Sequence, residues 1–154
     1  LAYTADTFDG VIATYDYYAN TSNRFADPVM KADGEESPAT FVNINSYTVH
    51  TGAALDGIAL SPDAKWIYFA PLSSYRLYRV PAYNTRVYQN DALGAIEFIG
   101  NRTSQMDGMT VSNESVVYFG SLSETAVRSM PYEDYIALNG RSMYEREHSQ
   151  ILVS

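Results

Sequence analysis

Two stretches of this chain share one plan. "AALDGIALSPDAKWIYFAPLSSYRLYRVP" (Ala53–Pro81) and "SQMDGMTVSNESVVYFGSLSETAVRSMP" (Ser104–Pro131) both meet Asp-Gly early and run into an alternating apolar segment. Both then reach a Tyr-Phe pair and a Leu-Ser step, and close on Pro. Phe69 and Phe119 stand 50 positions apart, as do Leu72 and Leu122, Ser73 and Ser123, and Pro81 and Pro131. Asp56-Gly57 meets Asp107-Gly108 after a one-residue gap. A third, partial copy opens the chain. Tyr3 to Tyr15 spans 12 residues, as Phe69 to Pro81 does, and setting Tyr3 on Phe69 gives a spacing of 66. The longer interval is taken up by an insertion at Met30–Thr40, an acidic Asp-Gly-Glu-Glu stretch that reads as an exposed loop. Units that recur at such a period bury their apolar faces by stacking on their neighbours.

Within each copy the apolar period is two, the period of a strand. Turn residues punctuate the runs at Ser61-Pro62-Asp63, Ser73-Ser74, Asn84, Gly100-Asn101 and Ser112-Asn113. Strands are expected at Ala2–Asp6, Gly10–Tyr17, Gly57–Leu60, Trp66–Leu72, Arg76–Pro81, Ala95–Ile99, Gly108–Val111, Val116–Leu122, Ala126–Met130 and Gln150–Val153. The one helical signal is a turn or two from Pro131 to Leu138. About four short strands per repeat is the signature of propeller blades. The fold class is therefore all-β, with 1–154 forming one partial β-propeller domain whose blade pieces lie near 1–50, 51–100 and 101–154. The first blade lacks its innermost strand, leaving about 2.75 blades. Propellers close on themselves, so the remaining blades are expected from another chain or from the rest of a cleaved precursor. A small open sandwich of about ten strands is the alternative.

Apolar residues make up 46% of the chain and charged residues 18%, which places it in the folded class. A net charge of −8 argues against nucleic acid or an anionic membrane as partner. No run approaches the roughly 20 apolar residues of a membrane span. With no cysteine, zinc–thiolate sites, thiol nucleophiles and internal disulfides are excluded. Three sequons, at Asn20, Asn101 and Asn113, all in expected turns, point to a secreted glycoprotein.

"GIALSP" (Gly57–Pro62), "IYFAPLSSYRLYRVP" (Ile67–Pro81) and "SQMDGMTVSNESVVYFGSLSETAV" (Ser104–Val127) resemble the yellow/major royal jelly protein family. The opening "AYTADTFDGVIATYDY" (Ala2–Tyr17) is similar to that family's Ala-Tyr-Ile-Ala-Asp stretch and its following strand. The resemblance spans almost the whole chain in consistent order. It implies a secreted six-bladed propeller of roughly two to three times this length, with this chain as a middle portion. Asn113-Glu114-Ser115 departs from the family's commoner Asp-x-x-Gly turn, and the family's flanking cysteines fall outside this chain. Family members are described as pigmentation proteins, dopachrome-converting factors, food-storage proteins and salivary binders of biogenic amines, so membership alone does not fix an activity.

Nucleophilic catalysis finds no motif. There is no Gly-x-Ser-x-Gly elbow, phosphate-binding Gly-rich loop or His-Glu-x-x-His, and His50 and His148 are the only imidazoles. The site argument is geometric instead. Loops entering the innermost strands of a propeller converge on its axial channel, which puts Leu55 and Asp56 at the mouth in one blade and Gln105, Met106 and Asp107 in the next. An apolar residue beside a carboxylate suits a ligand with an aromatic body and a cationic amine. An Asp before Gly also forms turns and caps backbone amides, so a purely structural role competes. The leading expectation is a small aromatic or amine ligand in the channel, with no catalytic residue, no metal and no cofactor. One alternative is a dopachrome-type isomerase or a metal-assisted lactonase, for which oxygen ligands would favour calcium. The other is a structural or storage glycoprotein without a dedicated ligand.

Overall fold

The structure, a computed structural model, describes residues 1–86, 95–114, 116–131 and 150–153. Among these there are thirteen strands and no α-helix. β1 (Ala2–Asp6), β2 (Val11–Asp16) and β3 (Thr21–Ala26) form a three-stranded antiparallel sheet in chain order. β4 (Phe41–Ile44) and β5 (Tyr47–His50) form a hairpin of their own. β6 (Leu55–Leu60), β7 (Trp66–Pro71), β8 (Arg76–Pro81) and β9 (Glu97–Asn101) make a four-stranded sheet. β10 (Met106–Val111), β11 (Val116–Ser121), β12 (Ala126–Pro131) and β13 (Gln150–Val153) make the next. These are two full up-and-down blades and a blade of three strands, the all-β propeller architecture the repeat implied.

The repeat is carried into cross-strand pairing. Trp66 pairs Pro81 and Phe69 pairs Tyr78, while Val116 pairs Pro131 and Phe119 pairs Arg128, each shifted by 50. The first blade corrects the expected alignment. Thr4 pairs Ala13 and Tyr3 pairs Thr14, so Tyr3 takes the place of Tyr68, not of Phe69, and the spacing is 65 instead of 66. That single step decides which face each side chain takes, because alternate residues of a strand point to opposite sides.

Two cores follow. Ile12, Phe25 and Met30 of the first blade pack with Leu55, Ile67, Phe69, Tyr78 and Val80 of the second. Tyr68, Ala70, Leu77 and Ile99 on the second blade's other face pack with Met106, Val117 and Phe119 of the third. The second blade is thus buried on both sides, and β7 accordingly reads as a nearly unbroken apolar run. Phe69 and Tyr78 stack at 5.5 Å between centroids, and Arg79 lies 4.0 Å over the Trp66 ring while bonding Glu97 at 2.5 Å.

Two features were not anticipated. β3, "TSNRFA", has only Phe25 buried and looks too polar for a strand, but it pairs along its whole length with β2. The β4–β5 hairpin turns through Asn45 and Ser46, both at positive φ (47° and 71°), as a two-residue hairpin loop requires. The Met30–Thr40 segment is also more built than an exposed loop. Short 3-10 turns at Pro28–Met30 and Pro38–Thr40, each capped by the preceding Asp27 or Ser37 side chain, bury Met30, Ala39 and Thr40 at its ends. Its acidic middle remains exposed. The expected helical turn starts at Pro131, which ends β12; residues 132–138, and His148, lie outside the described residues.

Candidate functional site

One end of the blades gathers the starts of β6 and β10 and the turns that follow β1, β7 and β11. Leu55 pairs Pro71 and Met106 pairs Ser121, which fixes the inner strands' starts against the ends of their neighbours. Each inner strand carries a β-bulge at this point. In β6 the register runs from Leu55–Pro71 to Gly57–Ala70, leaving Asp56 as the extra residue. In β10 it runs from Asp107–Gly120 to Met109–Phe119, leaving Gly108, at φ 69°, as the extra residue. Bulges twist a strand and re-aim side chains. Here they bring two acidic side chains from neighbouring blades together.

The carboxyls of Asp56 and Asp107 lie within hydrogen-bonding reach of each other. Thr7, from the turn after β1, donates its hydroxyl to Asp56 Oδ1 at 3.1 Å. Asp56 is half-buried and Asp107 exposed. Burial, and then the neighbouring Asp107 carboxyl, push the Asp56 pKa above the ordinary aspartate value of 3.8; the Thr7 hydrogen bond opposes them. Two carboxyls this close are stabilised by a shared proton or by a cation between them. Three successive blades thus contribute one polar group each: Thr7, Asp56 and Asp107. Thr7 was not singled out in the sequence, because it lies 49 residues before its partner in a turn without special composition.

The other expected site residues are placed differently. Leu55 is fully buried in the core between the first two blades and Met106 in the core between the second and third. Gln105 is 1% exposed and serves as a strut. Its amide donates to the carbonyls of Ala39 (3.1 Å) and Phe41 (3.0 Å), and its Oε1 accepts from the Ser123 hydroxyl at 2.8 Å. That hydroxyl also accepts from the Asn43 N–H at 3.3 Å. The base of the β4–β5 hairpin is thereby held to the third blade. Among the described residues no three His, Cys, Asp or Glu side chains cluster as metal ligands. Two carboxyls and a hydroxyl fall well short of the roughly six to eight oxygens that calcium takes.

Sequons occupy both ends. Asn20, at φ 50°, closes the β2–β3 turn and Asn113 lies in the β10–β11 turn, both at the end opposite the carboxyl pair. Asn101 is not in a turn: it is the exposed last residue of β9. Behind it Arg102 is buried, donating to the carbonyls of Pro71, Ser74 and Arg76 at 2.7 to 3.3 Å. Arg76 pairs with Asp33 of the insertion, and Arg128 with Glu124 at 2.5 Å. His50 is exposed on β5, its ring 4.8 Å from Phe41.

A family model described as "Major royal jelly protein" matches residues 1–154. Among curated proteins, Major royal jelly protein 7 of Apis mellifera is 28% identical over 132 residues, covering 82% of this chain and 28% of the relative. Major royal jelly protein 6 of the same organism is 27% identical over 131 residues, covering 81% and 28%. The chain thus spans 28% of the length of the curated relatives it matches. Among solved structures, regucalcin, a calcium-binding protein of Agrobacterium tumefaciens, superposes with a TM-score of 0.43 at 21% identity, covering 79% of this chain and 37% of that one.

Proposed function

Because the chain belongs to the major royal jelly protein family, we propose that it supplies part of the ligand-binding mouth of an extracellular β-propeller, taking a small amine with an aromatic body. The observation that carries this reading is the Asp56–Asp107 pair, reached by Thr7 from a third blade. An ammonium group placed between the two carboxyls relieves their repulsion and makes charge-assisted hydrogen bonds. A neutral ligand does neither. Burial and the neighbouring Asp107 raise the Asp56 pKa, and an ammonium group favours its ionised form, so affinity is expected to rise with pH as Asp56 ionises. The remaining wall of the channel comes from the other blades of a six-bladed ring, which lie in the rest of a longer protein or in another chain. Support for the missing blades is found on the third blade's outer face. Val127 occupies the place of Leu77 but is 40% exposed where Leu77 is sealed. Family membership and the sequons support secretion and glycosylation.

A second reading is a storage or structural glycoprotein with no dedicated ligand. It is favoured by the burial of Leu55, Gln105 and Met106, which serve the fold and present no apolar surface to a ligand. Titration calorimetry of the complete protein with serotonin, dopamine and octopamine separates the two. The amine reading expects heat that disappears in Asp56→Asn plus Asp107→Asn. An absence of heat at millimolar amine would leave the structural reading. A dopachrome-conversion assay with and without chelator covers the enzymatic alternatives.

A further inference from the structure

The turn Tyr17–Asn20 at the end opposite the carboxyl pair presents two tyrosines to solvent with no packing role. Tyr18 is 94% exposed and Tyr17 74%, and their rings meet edge to face at 5.7 Å. The turn itself is firmly built. Asp16 Oδ1 accepts from the N–H groups of Tyr18 (2.9 Å) and Ala19 (3.1 Å), and Asn20 closes the turn in the left-handed region, which Asn tolerates better than most residues. The Tyr15 hydroxyl donates to Asn20 Oδ1 at 3.1 Å. Asn20 is itself exposed, and with its oxygen engaged by Tyr15 the amide nitrogen is the atom that the transfer uses.

We propose that Asn20 is the glycan acceptor for which this fold is built, and that Tyr17 and Tyr18 form the aromatic platform on which its first sugar rests. This rests on the extracellular reading above. The less polar face of a pyranose carries several C–H bonds, and an exposed ring two or three residues before the acceptor in a reverse turn offers a flat apolar partner for it. The other sequons lack this arrangement. Asn113 is preceded by Thr110 and Val111. Asn101 lies in a strand and not in a reverse turn, and Ile99, two residues before it, is buried. Phe98, which the bulge at Ile99 puts on the same face as Asn101, packs on Tyr78 at 5.6 Å and is held roughly 10 Å along the strand from the acceptor. In the transfer, Asn20 Nδ2 forms a bond to C1 of the first sugar of a polyprenyl-diphosphate oligosaccharide. The C1–O bond breaks, the diphosphate leaves with the electron pair, and one amide proton passes to a base of the transferase.

The test uses the complete protein secreted from insect cells, with glycopeptide mass mapping and thermal unfolding before and after enzymatic glycan removal. Asn20 is expected to be occupied in most molecules. Glycan removal is expected to lower Tm by about 2–4 °C in the native sequence, and by clearly less in Tyr17→Ser plus Tyr18→Ser, an exposed pair whose loss leaves both cores intact. A bare Asn20 alongside a glycosylated Asn101 or Asn113 overturns this assignment while leaving the extracellular reading standing. Three bare sequons overturn both. An occupied Asn20 whose glycan adds the same stability with and without the tyrosines overturns the platform.

Discussion

Gly120 lies against the backbone of Asp107: a Cβ at position 120 would stand 2.6 Å from the Asp107 carbonyl oxygen. The corresponding residue of the second blade is Ala70, which pairs Gly57 and carries a Cβ. The difference follows from the bulges. In β6 the extra residue is Asp56, and in β10 it is Gly108, which leaves Asp107 directly opposite Gly120. Gly120→Ala therefore drives a methyl into backbone that cannot yield cheaply, and is expected to cost about 1–3 kcal/mol. Urea unfolding measures the cost. Because the displaced group is Asp107, amine binding should weaken in the same variant.

Asp56 sets a pH dependence whose sign is fixed. Its folded-state pKa is raised above 3.8, by burial first and by Asp107 second. The folded state therefore holds this proton more tightly than the unfolded chain. The group's contribution to stability is complete below pH 3.8 and is lost as pH rises through the raised value. Asp56→Asn retains an acceptor for Thr7 but cannot ionise. Relative to the native protein, it should gain stability on going from pH 3.5 to pH 7, read as a difference in urea midpoints at the two pH values. Titrating groups away from the carboxyl pair cancel in that comparison, since both proteins carry them. An unchanged difference across this range would remove the carboxyl pair from consideration.

Gln105 is expected to behave as a strut. Gln105→Ala strands the carbonyls of Ala39 and Phe41 and opens a buried void, a loss of about 2–3 kcal/mol. The effect should concentrate in the β4–β5 hairpin. Faster amide exchange across 41–50 with little change in β7 and β8 is the expected pattern.

Leu77 and Val127 test the missing neighbours. Leu77 is sealed between blades, so Leu77→Ala should cost about 2–5 kcal/mol in any context. Val127 is 40% exposed here. If a further blade covers it, Val127→Ala should cost about 2 kcal/mol in the complete protein and little in this chain alone. Equal and small losses in both would argue against that blade.

Glu124 adds an acid-side signal. Burial raises its pKa, but hydrogen bonds from Arg128 and Ser121 outweigh that and hold it below 4.5. Its stabilising effect is present above pH 4.5 and is lost as pH falls through the lowered value. Arg128→Gln should flatten that acid limb of the stability profile.

Much of the architecture is legible in the amino-acid order. The recurrence of Tyr-Phe, Leu-Ser and Pro at a spacing of 50 survives into the pairing of β7–β8 and β11–β12. It does so because a strand buried between two blades must place its apolar side chains at every position, and that demand is local. The first blade shows the limit. Setting Tyr3 on Phe69 or on Tyr68 matches an aromatic either way, and only cross-strand pairing chooses Tyr68. The polar β3 is a strand because β2 supplies its hydrogen-bond partners, a fact no residue of β3 carries.

At the candidate site the division is the same. Asp56 and Asp107 could be named from the Asp-Gly steps that open the innermost strand of each repeat. The proximity of the two carboxyls, the contribution of Thr7 and the burial of Leu55, Gln105 and Met106 depend on how neighbouring blades stack. Local sequence determined the strands, their turns and the repeat, because period and turn chemistry act over a few residues. Tertiary structure decided which side chains face a ligand and which face the core, because a single step of register exchanges the two faces and only the neighbouring blade selects between them.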